Sequence, residues 1–482
     1  MSATPACVSH DRRPLPRPRR YRARRPETTP LYPVVQHHFE SWLALKHTGD
    51  PFENTVPAFV ERDFRKYLDC GIFARGFGRA RCPRCGHDFL VAFSCRARAV
   101  CPSCNARRMA ETAAHLVDHV FPPLPVRQWV LSVPKRLRYF LQREPTAVNA
   151  VLHILLRSVE AALRAHSPGA GARARLGAVS FVHRFGSALN PHVHFHCCVL
   201  DGVFEAEPES DEQFTFREAV GLSDQAVAAV QAQVRRRVLC GFVRRAWLTD
   251  EQRQEMQRWA HSGGFSIDAA VRIEGWDRGG LERLLRYCAR PPFALERLEA
   301  IGTDRLVYHL PKPGPDGRTD LMLTPLELID RLAALIPPPR LHRHRYHGVL
   351  APNAPLRAAL TALARDTPAT PDPSAVAESV GGEEPRRSPA RYLWAMLIAR
   401  IYEVFPLVCR HCGAEMRIIA FVTETASVTR ILQHIGEPTK APVLSPARGP
   451  PAWDDGFDQT AVFDPAAAAP QPVFEFDQTA TW

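Results

Sequence analysis

The sequence predicts an α+β fold: an antiparallel sheet with helices packed on it, preceded by a small cysteine-rich module. Three observations predict it. Two runs rich in β-branched and aromatic residues, Ala178–Phe185 and His192–Leu200, read as strands. Around them lie segments with helical apolar spacing, chiefly Ala147–His166, Ser223–Trp247, Gly280–Arg290 and Thr324–Leu335. Ahead of these, Cys82-x-x-Cys85 and Cys101-x-x-Cys104 are separated by fifteen residues, the spacing of a zinc ribbon.

The elements follow in order. Residues 1–30 read as a disordered basic arm, with eight arginines among the prolines of 11–25. Residues 31–68 carry helical spacing, from Val34, Val35, Phe39 and Trp42 through Phe59, Phe64 and Leu68. Together with the cysteine module (69–110) and a helix over 111–121 they make a zinc-binding, DNA-recognising domain over 31–121. A domain of strands and helices spans 122–365. It opens with the strand Gln128–Val133 and carries a turn signal at Asp201-Gly202. A Pro-, Ser- and Glu-rich linker occupies 366–390, a small segment with its own Cys-x-x-Cys occupies 391–440, and an acidic disordered tail runs over 441–482.

The net charge of +12 points to a polyanionic partner, with nucleic acid the commonest. No run of some 18 uncharged apolar residues is present, so no membrane span is expected. The arginine-rich start has no apolar run behind it, which excludes a secretory signal. Its prolines and lack of amphipathic spacing argue against a transit peptide. Thirteen cysteines in a chain without an export signal favour a reducing compartment and zinc over disulfides. The expected location is the cytoplasm, on the nucleoid.

Each Cys-x-x-Cys turn aims two thiolates at one ion, so Cys82, Cys85, Cys101 and Cys104 are expected to complete one tetrahedral Zn2+ site. Cys70 and Cys95 leave three roles open: replacing a ligand, joining a second site, or packing. Cys409 and Cys412 make half a site, with His434 a candidate partner. Arginines crowd the module, and Arg96, Arg107 and Arg108 are its candidate phosphate contacts.

The stretch Asn190-Pro-His-Val-His-Phe-His-Cys-Cys-Val-Leu200 is the most informative. On a strand, His192, His194 and His196 share one face, while Val193, Phe195 and Cys197 face the core. Three imidazoles in a row suit a metal better than packing. His183, on the neighbouring strand, is a candidate third ligand if the two strands pair antiparallel. Imidazole ligands suit zinc or manganese. For phosphate chemistry at an open coordination position the expected ion is Mg2+ or Mn2+.

Tyr287 stands out among nine tyrosines because Arg283, Arg286 and Arg290 flank it on one predicted helix. A helical tyrosine is more often a packing residue, so the residues alone do not make it a nucleophile.

Four stretches together resemble the IS91-type rolling-circle transposases of the HUH endonuclease superfamily. They are Phe93-Ser-Cys-Arg-Ala-Arg-Ala-Val-Cys-Pro-Ser-Cys104, Arg184 to Asn190 leading to His194-Phe195-His196 and Leu200 to Phe204, Arg286-Tyr287 with Arg290-Pro-Pro292, and Pro337 to Arg340 followed by Arg345 to Pro352. The resemblance spans roughly residues 31–440. It implies an HUH-like fold with the catalytic domain at 122–365. It selects His194 and His196 as the metal pair, leaves His192 as an extra, and places His183 where a third ligand is expected. It also places Tyr287 at the catalytic tyrosine position. Many members carry two tyrosines four residues apart. Here Pro291 and Arg283 occupy the flanking positions, which resembles the single-tyrosine branch. The implied activity is cleavage and rejoining of single-stranded DNA through a 5′-phosphotyrosine. Arg286, Arg290 and Lys312 would stabilise phosphate charge, and the basic, aromatic run from Arg340 to His347 would contact single-stranded DNA. The partners implied are the element's single-stranded ends and its target, with oligomerisation left open. Two rival readings share parts of this pattern: a replication initiator or relaxase, and a non-catalytic zinc DNA-binding protein.

Overall fold

The computed structural model describes residues 24–47, 56–207, 210–302, 304–314, 316–366, 407–409 and 411–448. Most of the arm, most of the linker and the tail beyond 448 lie outside the described residues.

Two helices open the chain, α1 (Leu31–His47) and α2 (Ala58–Asp69), followed by a hairpin of β1 (Phe77–Arg81) and β2 (Asp88–Ala92). Helix α3 (Pro102–His119) then leads to β3 (Val126–Ser132), α4 (Lys135–Arg143) and α5 (Pro145–His166). Next come β4 (Gly177–Phe185), β5 (Pro191–Leu200), β6 (Gly202–Glu207) and β7 (Ser210–Glu218). Helices α6 (Asp224–Val243) and α7 (Asp250–Arg258) precede two short strands, β8 (Ser266–Asp268) and β9 (Arg272–Ile273), and α8 (Arg278–Cys288). Strands β10 (Leu298–Ile301), β11 (Arg305–His309) and β12 (Asp320–Leu323) form a separate antiparallel sheet. After α9 (Pro325–Ala334), β13 (His344–Gly348) and α10 (Arg357–Asp366), the described C-terminal part supplies β14 (Arg417–Val422) and α11 (Thr425–Ile435). Helices combined with antiparallel sheets make the fold α+β.

The chain divides into two compact units. The larger is built on a six-stranded sheet in the order β13-β4-β5-β3-β8, with β9 also on β3. All its described pairings are antiparallel. Strand alternation divides it cleanly. Val193, Phe195, Cys197 and Val199 of β5 enter one apolar core, with Leu137 and Leu141 of α4, Val151 and Leu155 of α5, and Val234 and Val238 of α6. Cys198 and Leu200 face the opposite core, with Leu116 and Val117 of α3, Leu281, Leu284 and Leu285 of α8, and Leu360 of α10. The histidine face of β5 is therefore the face that carries α8. Helix α5 is long and apolar enough by composition to cross a bilayer, but its apolar side is spent on the first core.

Two sequence expectations change here. Helix α3 begins at Pro102, inside the cysteine module, rather than near 111. Asp201-Gly202 is no hairpin turn, because β6 pairs with β7 and not with β5. Asp201 is instead fully buried and holds Arg127 of β3 through two hydrogen bonds (2.8 and 2.9 Å) and Arg272 of β9 through one (2.7 Å). Gly202 is needed because a Cβ there would lie 2.3 Å from the carbonyl of Arg217. The second half of the basic run at 340–347 lies in strand β13 on the sheet edge, where Arg345 bonds Asn149 and His347 bonds Ser180 at 2.8 Å.

The smaller unit joins Gly71–Phe93 to the described residues of Gly381–Ala441. Its sheet has the order β14-β1-β2, and α11 packs Val428 and Leu432 on Phe77. Residues 442–448 belong to the larger unit and run along α1, with Ser445 N–H donating to Gln36 O (3.1 Å).

Candidate active site

The site is built on β4, β5 and α8. Strands β4 and β5 pair with His183 directly opposite His194. That register brings His183, His194 and His196 into one group whose ligand-type atoms lie within 4.8 Å of one another. Ring centroids are 5.0 Å apart for His183 and His194, 4.4 Å for His183 and His196, and 5.0 Å for His194 and His196. His192 packs on His194 at 4.9 Å but is not in the group, being one strand step further from His196.

All three grouped histidines are buried. Burial, reinforced by the charge of Arg290, pushes His183 down to about 3 and holds His194 and His196 well below the usual imidazole range. They are neutral at pH 7, the form a metal ligand must take. His183 Nε2 donates to the carbonyl of Cys288 (2.6 Å), which leaves its buried Nδ1 without a hydrogen-bond partner and available as a ligand atom. His196 Nε2 is likewise buried without one. These residues fit a divalent ion.

Gln128 was not singled out by the sequence, where it is one of three polar residues of β3 with Arg127 and Ser132. It is buried, and its amide nitrogen donates to His196 Nδ1 at 2.9 Å. With a metal on Nε2, the Nδ1 hydrogen needs an acceptor, and the same amide turned by half a rotation supplies its oxygen. Replacing Gln128 with Leu is expected to weaken metal binding by about 10- to 100-fold while leaving the sheet folded. Metal titration of the folded variant checks this; unchanged affinity would remove Gln128 from the site.

The buried histidines also make a pH prediction. In the unfolded chain each takes up its proton near the model value of 6.5, whereas the fold keeps His183 unprotonated down to about 3 and His192 down to about 4. The unfolded state therefore binds more protons between those limits, so the metal-free protein is expected to lose stability as pH falls below 6.5. The slope is about 1.4 kcal/mol per pH unit for each histidine. Denaturant midpoints of the metal-free protein at pH 7 and pH 5 test it, and equal midpoints would contradict it.

Tyr287 lies in the last turn of α8, half-buried, with its ring edge-on to His196 at 5.6 Å. Burial raises its hydroxyl above the usual phenol range, and Arg290, 4.4 Å over the ring, opposes that. Arg286 is tied to Glu282 at 2.6 Å, and Arg283 is exposed. Of the three flanking arginines, Arg290 is therefore the one gathered at the tyrosine, from just beyond the end of α8 rather than on it. Lys312 sits in the β11–β12 connection, on a different sheet.

The four predicted zinc ligands do not share one site. Cys101 and Cys104 group with Cys70 and Cys95, whereas Cys82 and Cys85 group with Cys409 and Cys412. The reason is the β1–β2 hairpin. It closes at its base through Gly71 N–H to Phe93 O (2.9 Å), so Cys70 and Cys95, just outside that closure, meet the pair at the start of α3. Cys82 and Cys85 lie at the other end, in the turn. In the first group the Sγ atoms stand 3.5 Å (Cys70 to Cys101) and 3.6 Å (Cys70 and Cys95, each to Cys104) apart. Those are close to the edges of a zinc tetrathiolate, about 3.8 Å for bonds of about 2.3 Å.

Beside this group the arginines crowd. Arg107 pairs with Glu111, and Arg108 donates to the carbonyl of the exposed Arg96 at 3.0 Å. Arg343, from the basic run at 340–347, joins them. Burial, with Arg108 and Arg98 nearby, pulls it down to about 9, and its hydrogen bonds go to neutral Asn105. Asp63 is the carboxylate that offsets Arg98 and Arg343, and the excess of positive charge is suited to phosphate.

Two family models match the chain. Residues 34–133 match one described as "Transposase zinc-binding domain", of the IS91 type, and residues 177–357 match one described as "Putative transposase". No curated protein and no solved structure matches. The first match contains all six cysteines from Cys70 to Cys104, and the second contains the three grouped histidines and Tyr287. Zinc ligands and a transposase domain in this order make the chain a member of the IS91-type transposases with an N-terminal zinc-binding domain.

Proposed function

We propose that the chain cleaves and rejoins single-stranded DNA during rolling-circle-type transposition, through a 5′-phosphotyrosine on Tyr287. The observation that carries this reading is the edge-on packing of Tyr287 against His196, inside a group of three buried neutral histidines. The transposase match favours this biology over replication initiation or plasmid transfer with the same chemistry.

His183, His194 and His196 would hold Mg2+ or Mn2+, which would draw charge from a non-bridging oxygen of the scissile phosphate. The chain's own residues do the rest. The Tyr287 oxygen attacks phosphorus in line, the phenol proton departs, and the bond to the 3′ oxygen breaks with that oxygen taking up a proton. Arg290 lowers the cost of ionising the tyrosine and faces the charge of the phosphate. The ester on Tyr287 keeps the energy of the broken bond, so a later 3′-OH can reverse the step without ATP. Arg96, Arg98, Arg108 and Arg343 are the proposed contacts to the DNA backbone near the zinc-binding domain.

The test uses single-stranded oligonucleotides from the ends of the element. Incubated with Mg2+ or Mn2+, the protein is expected to form an SDS-stable adduct on one strand polarity. Formation of the adduct without divalent metal, or on random sequence alone, would count against the reading.

A further inference from the structure

We propose that Cys82, Cys85, Cys409 and Cys412 bind a second structural Zn2+, which fastens the C-terminal segment to the β1–β2 hairpin. Neither family match includes Cys409 or Cys412.

The four Sγ atoms lie within 4.8 Å of one another, with Cys82 and Cys412 at 3.5 Å and Cys85 and Cys409 at 3.5 Å. These are too long for disulfides and right for the edges of a metal tetrathiolate. The partners are 330 and 324 residues apart in sequence.

The stronger argument is that the two halves are the same structure built twice. Each is Cys-x-x-Cys-Gly. In the first, Gly86 N–H donates to Cys82 O (3.0 Å) and Cys82 N–H to His87 O (2.8 Å). In the second, Gly413 N–H donates to Cys409 O (2.8 Å) and Cys409 N–H to Ala414 O (2.8 Å). Both glycines are left-handed, at φ 73° and 72°, which a side chain would resist. Such a turn directs backbone N–H groups at the leading sulfur. Cys82 receives them from Arg84 and Cys85, and Cys409 from His411 and Cys412. N–H donors favour thiolate over thiol, and thiolate is the metal ligand. Simple packing of thiols explains neither the donors nor the matched turns, and Cys85 is exposed.

The sheet register supports the same site. Strand β14 pairs with β1 from Phe77↔Val422 to Arg81↔Arg417, so each strand meets its own cysteine turn at the same end of the sheet. Among the described residues, the apolar core of this unit is chiefly Phe77, Val428 and Leu432 with Ala80 and Met416. A metal joining such distant segments also offsets a large loop-closure entropy.

Metal content of the purified full-length chain tests this. Two cysteine-held zinc equivalents per chain are expected. Replacing Cys409 and Cys412 together with Ser should remove one. Replacing Cys82 and Cys85 should remove the same one, so all four changes together should cost no more than either pair. Cys101→Ser should remove the other equivalent, additively. Cobalt substitution, read through the sulfur-to-cobalt charge-transfer band, keeps the histidine site out of the count. Cys412→His guards against misfolding: it should retain the equivalent while its cobalt spectrum moves from four sulfurs to three. No loss on changing Cys409 and Cys412, a loss of two equivalents in the four-fold variant, iron in place of zinc, or an unchanged cobalt spectrum in Cys412→His would each overturn the proposal.

Discussion

Tyr287→Phe is expected to abolish the SDS-stable adduct, with the strand-cleavage rate falling on the order of a thousand-fold or more. The substitution removes one oxygen and keeps the ring. Packing on His196 at 5.6 Å and under the Arg290 guanidinium at 4.4 Å is preserved, so the fold and the histidine group remain intact. Metal and oligonucleotide binding should persist, which separates loss of the nucleophile from loss of the site. No neighbour on α8 can take over. The positions four residues before and after Tyr287 are Arg283 and Pro291, neither of which carries a phenol. A variant still labelled at the wild-type rate would move the nucleophile to another residue. Arg290→Gln gives the companion result: slower cleavage and a pH profile shifted upward, because the charge that opposes the burial-raised tyrosine is lost.

The histidine face was legible from sequence because strand side chains alternate with period two, and β5 obeys that rule along its length. His183 was legible only as a candidate. Its use depends on the β4–β5 register, which a sequence does not state and which the structure sets with His183 opposite His194. Gln128 was hidden for a different reason. Its importance comes from one hydrogen bond across the sheet, to a strand 68 residues away. The cysteine module failed most instructively. A Cys-x-x-Cys pair looks the same whichever pair completes its site, so fifteen residues of spacing suggested a union that the hairpin prevents. The pairing of β1 with β14 spans most of the chain, and no local pattern foretells it. Asp201 was read as a turn former because Asp-Gly usually is one; its burial against two arginines arises from strands remote in sequence.

Cys101→Ser is expected to release the zinc held with Cys70, Cys95 and Cys104 and to reduce cleavage as well. Cys101 is fully buried and is the residue from which α3 starts. Structural zinc in small domains contributes about 10–16 kcal/mol of apparent binding free energy, as much as the whole net stability of a typical domain. Without the ion, the buried thiols of Cys70, Cys101 and Cys104 lose the partner that brings them together, and the first turns of α3 should unravel. The consequence then travels along the helix. The later turns of α3 pack Leu116 and Val117 in the same core as Leu281, Leu284 and Leu285 of α8. Arg278 at the start of α8 also donates to the carbonyls of Val117, Phe121 (2.9 Å) and Pro122 (3.2 Å) at the end of α3. The helix that carries Tyr287 is thus held by the helix that starts from Cys101 and contains Cys104. The β3–β4–β5 sheet has its own core on the far face with α4, α5 and α6, so it should stay folded. The expected signature is a lower-temperature unfolding step with slower adduct formation, and zinc chelation of the wild type should reproduce both. Wild-type melting and cleavage in a variant shown to have lost that zinc would mean that α3 holds α8 without the metal's help.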